Sequence, residues 1–152
     1  MRLIDACLAL GPGQVETAVP GTFGSILETM RHLVGADTRY LFVTSGERGD
    51  VIVERDLGLT ELRAAMERNG AGWSRLLATE PDPDTVLTRR RDDGSEIRAA
   101  IGIRLAQVLH HGTDHRSQIC TALTALGVEP PNIDVWAFGM QTGRAVEVPP
   151  RP

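Results

Sequence analysis

A chain of 152 residues is long enough for one domain that buries about two thirds of its unfolded surface without disulfide staples. A hydrophobic share of 41%, a charged share of 24% and the lack of any apolar run of spanning length place it in the soluble globular class and exclude a membrane-spanning one. The formal net charge of −4 disfavours nonspecific nucleic-acid binding, which draws its affinity from Lys and Arg neutralising phosphates.

The one basic run, Arg89, Arg90 and Arg91, is followed at once by Asp92 and Asp93 and reads as a solvated turn. Two cysteines, Cys7 and Cys120, make no disulfide scaffold and read as small apolar filler rather than nucleophiles. The amino terminus lacks the long apolar core of a signal peptide, so a reducing cytoplasm is the expected compartment.

In chain order, Leu3, Cys7 and Leu10, flanked by Ile4 and Leu8, predict a short amphipathic helix from Arg2 to Leu10 that stops at Gly11-Pro12-Gly13. Residues Gln14 to Gly21 read as a connection. A longer helix follows from Thr22 or Phe23 to Val43, with an apolar stripe of Phe23, Ile26, Leu27, Met30, Leu33, Val34 and Leu41. Thr22 can cap it, and Ser25 with Glu28 offers an alternative capping box. His32 lies off the centre of the stripe and, on the helical wheel alone, is an exposed residue. Asp37 falls within the stripe and needs a partner, for which Arg116 is the candidate.

Ser45 to Leu59 reads as a loop. A third helix is expected from Thr60, as its cap, through Leu62, Met66, Trp73, Leu76 and Leu77. Gly70 and Gly72 weaken it by about 1 kcal/mol each relative to alanine and predict a kink. Pro81 and Pro83 stop it. Thr85 to Arg90, Asp93-Gly94 and Glu96 to Ala99 then suggest a small hairpin.

The last long helix is predicted from Ile101 to Leu126, with Gly127 as a left-handed cap. It carries three of the four histidines within six residues. At about 100° per residue, Ile101, Leu105, Val108, Gly112, Ile119, Leu123 and Leu126 form the packing side. His115 lies on its shoulder, His111 just beyond and His110 nearly opposite, toward water. Histidines four apart share a face, so His111 and His115 can present two imidazole nitrogens to one metal ion. By itself the spacing fits surface or core histidines more often than ligands. Gln118, seven residues after His111, either orients a substrate or metal-bound water or is a polar rim residue. Asn132 is the expected cap of a short helix through Trp136 and Phe138 to Met140, whose aromatics are expected to pack on the other helices. Residues 143–152 form a tail.

HLVGAD at His32 to Asp37 and HGTDHRSQI at His111 to Ile119, followed by ALGVEPPNIDVWAF, resemble the DinB family. That family pairs a histidine on its second helix with a His-x-x-x-His-Arg-Gly-Gln type motif on its fourth. The resemblance spans about Phe23 to Phe138, with Ser117 where the family often has glycine and an unusually short first helix. It implies an all-α fold, a DinB/YfiT-like four-helix bundle over residues 1–142. It also implies a metal triad at His32, His111 and His115, and frequently a homodimer. Zinc is the favoured divalent ion, with nickel and iron the other candidates.

Relatives with assigned activities include transferases and isomerases that use low-molecular-weight thiols. The expected function is therefore metal-dependent transfer of such a thiol to a small electrophilic substrate. The alternatives are a metal-dependent hydrolase and a non-catalytic metal-binding or interaction protein, because family membership does not fix a reaction.

Overall fold

The computed structural model describes residues 1–46, 56–148 and 150. Of the predicted loop, residues 47–55 lie outside the described residues, as do residues 149, 151 and 152 of the tail. Among the described residues the chain is mostly helical, with one two-stranded sheet. The elements are α1 (Arg2–Leu8), α2 (Pro12–Val15), α3 (Ile26–Ser45), α4 (Leu59–Leu77), β1 (Val86–Arg90), β2 (Glu96–Ala100), α5 (Ile101–Ala125) and α6 (Val135–Gln141). None of these helices is long and apolar enough to cross a membrane.

Where the helices begin is decided by which side chain can reach the free N–H groups of the first turn. For α3 the capping box prevails over Thr22. Ser25 Oγ accepts from the Glu28 N–H at 3.2 Å, and Glu28 Oε2 accepts from the Ser25 N–H at 2.8 Å. These bonds hold the Glu28 carboxyl below its ordinary range. Thr22 instead turns its hydroxyl to the carbonyls of Val19 and Gly24, so Phe23 lies before the helix rather than on its stripe.

Thr60 is likewise displaced as a cap. Gly58 takes that place, its N–H donating to Glu61 Oε2 at 2.6 Å. Asp134, not Asn132, caps α6, accepting from the Trp136 and Ala137 N–H groups. The predicted connection after α1 contains the single turn α2, started by Pro12, whose fixed φ suits a first helical position.

One apolar cluster is built by four helices: Leu3, Ile4 and Cys7 from α1, Ile26 to Val34 positions from α3, Leu62 and Ala65 from α4, and Ile119, Ala122 and Leu123 from α5. Helix α3 packs against both α4 and α5, and α1 packs against α4. Burial pushes the Cys7 thiol up to about 12, in keeping with its role as filler. Helix α4 runs unbroken through Gly70 and Gly72. Gly72 is buried against Leu41, where a Cβ would come within 2.5 Å of Leu41 Cδ2, so this glycine lets α4 approach α3.

The hairpin forms as predicted, in the register Val86↔Ala100 to Arg90↔Glu96, with Gly94 at φ 84° in its turn. It leads directly into α5. The N–H groups of Ile101 and Gly102 donate back to Thr85 and Pro83, and Arg104 reaches the Leu87 carbonyl. At its far end α5 closes with Gly127 at φ 72° and a Val128 N–H to Leu123 carbonyl bond of 2.9 Å, a Schellman-type stop.

The expectation that Trp136 and Phe138 both pack inward is not met, since they are 73% and 53% exposed. Residues two apart on a helix diverge by about 200°, so one surface cannot take both rings. Arg144 covers Phe138 instead.

Asp37 finds partners other than the expected one. Asn69 Nδ2 donates to its Oδ2 at 2.8 Å and Trp73 Nε1 to its Oδ1 at 2.9 Å, both from α4, while Arg116 acts as a charge through space. Asp37→Ala should therefore cost about 2 kcal/mol in a denaturant titration, because it strands donors in the α3–α4 seam. Burial raises the Asp37 carboxyl above 3.8, so the folded chain holds that proton more tightly than the unfolded one. The resulting stabilisation is complete below the unfolded value and lost as pH rises through the raised folded value. The wild type should gain stability relative to Asp37→Asn as pH falls from neutrality toward 3.8, and a difference that stays flat with pH would contradict this.

Candidate metal centre

The three histidines singled out in the sequence meet between α3 and α5. His32 comes from α3, and His111 and His115 come from successive turns of α5. One ligand nitrogen from each lies within 4.8 Å of the others. His115 is buried, His32 and His111 are half-buried, and His110 is exposed, so the two adjacent histidines divide as their helical phase predicts. His32 is drawn in further than its own wheel suggests, because α5 covers that flank of α3.

His32 Nε2 lies 3.0 Å from His111 Nε2. Two nitrogens at ~2.0–2.1 Å from one tetrahedral ion stand about 3.3 Å apart. The imidazole pair is thus already near the spacing that a shared ion imposes, and the donor set fits a divalent metal. Burial, then the neighbouring His115 and His32, hold the His111 pKa below its ordinary value. A neutral imidazole is the form that binds a metal.

Three further residues belong to the site. Gln118, on the same face of α5, places Oε1 2.9 Å from His115 Nδ1. A carbonyl oxygen can only accept, so this contact puts the His115 proton on Nδ1 and leaves the Nε2 lone pair as the ligand. The same Oε1 accepts from the Phe23 N–H at 3.3 Å. Phe23 stacks on His32, with centroids 4.3 Å apart and planes at 18°, and meets His115 edge-on at 5.3 Å. Tyr40 sets its ring edge-on to His111 at 5.6 Å, and its hydroxyl accepts from Gln107.

The sequence places Phe23 there through a chain of local choices. Gly21, at φ 85°, makes a left-handed turn that other residues resist. The Thr22 hydroxyl ties that turn together, and the capping box then places the α3 cap, Ser25, two residues after Phe23. Periodicity does not mark Phe23 as functional, since an aromatic on an apolar stripe reads as core, and it gives no signal for Tyr40. The signal available for Phe23 was the capping box itself, which puts it outside the helix.

A family model for the DinB family matches residues 1–146, nearly the whole chain. The chain belongs to the DinB family. Among curated proteins no match is found. For this DinB protein, membership and the meeting of the three imidazoles agree, and the histidines can hold a metal ion.

The Gln118 contact has a consequence that needs no metal. Two-bond ¹⁵N–¹H spectra of the metal-free chain, at a pH where the ring is neutral, should show His115 as the Nδ1–H tautomer. Gln118→Leu should remove that preference, whereas a His115 spectrum unchanged by the substitution would count against the contact.

Proposed function

We propose that this DinB protein binds one divalent ion through His32, His111 and His115 and uses it in catalysis. The observation that carries this reading is the convergence of three imidazoles, from positions 79 residues apart on two helices, with ligand atoms within 4.8 Å of one another. Three neutral nitrogens leave at least one coordination position open, the pattern of catalytic rather than closed structural sites. Zinc suits the donor set best, with nickel and iron as the alternatives.

A bound divalent ion would lower the pKa of a thiol or a water at that open position. The proposed reaction is transfer of a low-molecular-weight thiol to a small electrophilic substrate, in keeping with family members of known activity, and hydrolysis is the second reading. The chain's own groups supply the rest. Gln118 fixes the orientation of the His115 ring, and among the described residues both of its hydrogen bonds use Oε1, so its amide NH₂ is a donor for substrate. Phe23 shields one side of His32 from water. The Tyr40 hydroxyl accepts from Gln107 and, among the described residues, keeps its own proton to give.

The surrounding architecture in this reading is a four-helix bundle of α1, α3, α4 and α5 within a single domain over residues 1–142. Residues 143–152 are its tail. The shared apolar cluster of those four helices supports it. A homodimer completes the reading, on the strength of the family resemblance, with a reducing cytoplasm as the proposed compartment.

Protein purified without chelators or a histidine tag should carry about one ion per chain by elemental analysis. His111→Ala and His115→Ala should each remove most of it, and Gln118→Leu should weaken the binding by about tenfold or more. Metal content unchanged by the histidine substitutions would refute the triad. With the ion retained, a screen of low-molecular-weight thiols against small electrophiles should give turnover that vanishes in His111→Ala. Turnover of esters or amides without thiol would favour the hydrolase, and no thiol-dependent turnover or binding would overturn the transferase.

A further inference from the structure

Away from the histidines, a cavity of about 600 Å³ opens between the start of α1 and α6, with Arg116 of α5 in its wall. That volume is in the range of small-molecule sites. Its apolar wall is made by Leu3, Ile133, Val135 and Phe138. Its charged side chains are Arg2, Arg116 and Asp134, and two of these three are already engaged. Asp134 caps α6 through Oδ1, and Arg2 donates to Gln141.

Arg116 differs from both. It is half-buried, folded over Gly112 so closely that a Cβ there would lie 2.7 Å from its Nη1. Among the described residues its one hydrogen bond is from Nη2 to the neutral Thr113 hydroxyl, at 3.1 Å. Asp37, a carboxylate that acts on it through space, is bonded to Asn69 and Trp73. A guanidinium has five N–H donors in a planar fork that matches a carboxylate. Here most of them are without a protein acceptor, beside an apolar wall.

We propose that this cavity binds a small amphipathic organic anion, its acidic head paired with Arg116 and its apolar body laid over Leu3, Ile133 and Phe138. None of the three histidines lines this cavity, although Arg116 also borders a smaller pocket that it shares with Asp37 and His111, and the proposal does not depend on the metal reading.

Octanoate and octanol are suitable probes, titrated into the metal-loaded chain by isothermal calorimetry. Octanoate should bind one to one and more tightly than octanol. Arg116→Gln should weaken octanoate by about tenfold or more, the usual scale for a charged hydrogen-bond pair, and leave octanol unchanged. Arg116→Lys should fall between. Ile133→Asp alters an exposed part of the wall and should weaken both probes, so it carries the test should Arg116→Gln fail to fold by circular dichroism. A His32→Ala/His111→Ala double variant should still bind octanoate. The proposal is overturned if octanoate does not bind at millimolar concentration or binds Ile133→Asp as it does the wild type. It is also overturned if binding survives in a folded Arg116→Gln and disappears in the double histidine variant, which would place the carboxylate at the metal centre.

Discussion

The register in which α3 packs against α5 is the constraint on which the rest of the molecule depends. A slip of one residue along either helix would turn its side chains by about 100° and separate His32 from His111, now 3.0 Å apart at their Nε2 atoms. That register is held from several sides. The apolar cluster engages Ile26 to Val34 positions of α3 and Ile119 to Leu123 positions of α5. The hairpin anchors the start of α5 through backbone bonds to Thr85 and Pro83, and the Ser25 capping box fixes where α3 begins. The site therefore rests on regular helices, with only Phe23 supplied by the segment before one.

Much of this was legible in the sequence because helices report their buried face through spacing. The stripes of α3 and α5, the hairpin, and the division between His110 and His111 all follow from periodicity and turn chemistry. The union of His32 with the other two does not. A helical wheel describes one helix at a time, and His32 on its own wheel looks exposed; only the motif pair of the DinB family linked positions so far apart. The starts of the helices were the other weak point. Thr22, Thr60 and Asn132 are each plausible caps by residue type, yet Ser25, whose capping box with Glu28 was the alternative for α3, Gly58 and Asp134 take the role. Several polar residues compete within a few positions, and the winner is decided by which can bond the first turn while the chain enters from elsewhere.

The partner of Asp37 illustrates the same limit from the side of electrostatics. Opposite charge suggested Arg116, whereas the structure satisfies the carboxylate with two neutral donors from α4. Neutral donors can stabilise a half-buried carboxylate without also burying a second charge. The arrangement joins α3 to α4 by a polar contact beside the apolar core, and the Arg116 guanidinium of α5 acts on Asp37 as a charge only, its hydrogen bond going to Thr113.

The distance along the chain between His32 and the other two histidines has a further consequence for assembly. His111 and His115 are neighbours on successive turns of one helix, so a nascent helix already presents both. The third nitrogen arrives only when a loop of 79 residues closes, and closing it carries an entropy cost that the core must offset first. An unfolded or half-formed chain thus offers a two-nitrogen fragment, and the three-nitrogen arrangement exists only in the native state. Any ion that prefers three nitrogens to two must then shift the folding equilibrium by mass action, acting as a selector for molecules that have completed the α3–α5 pairing.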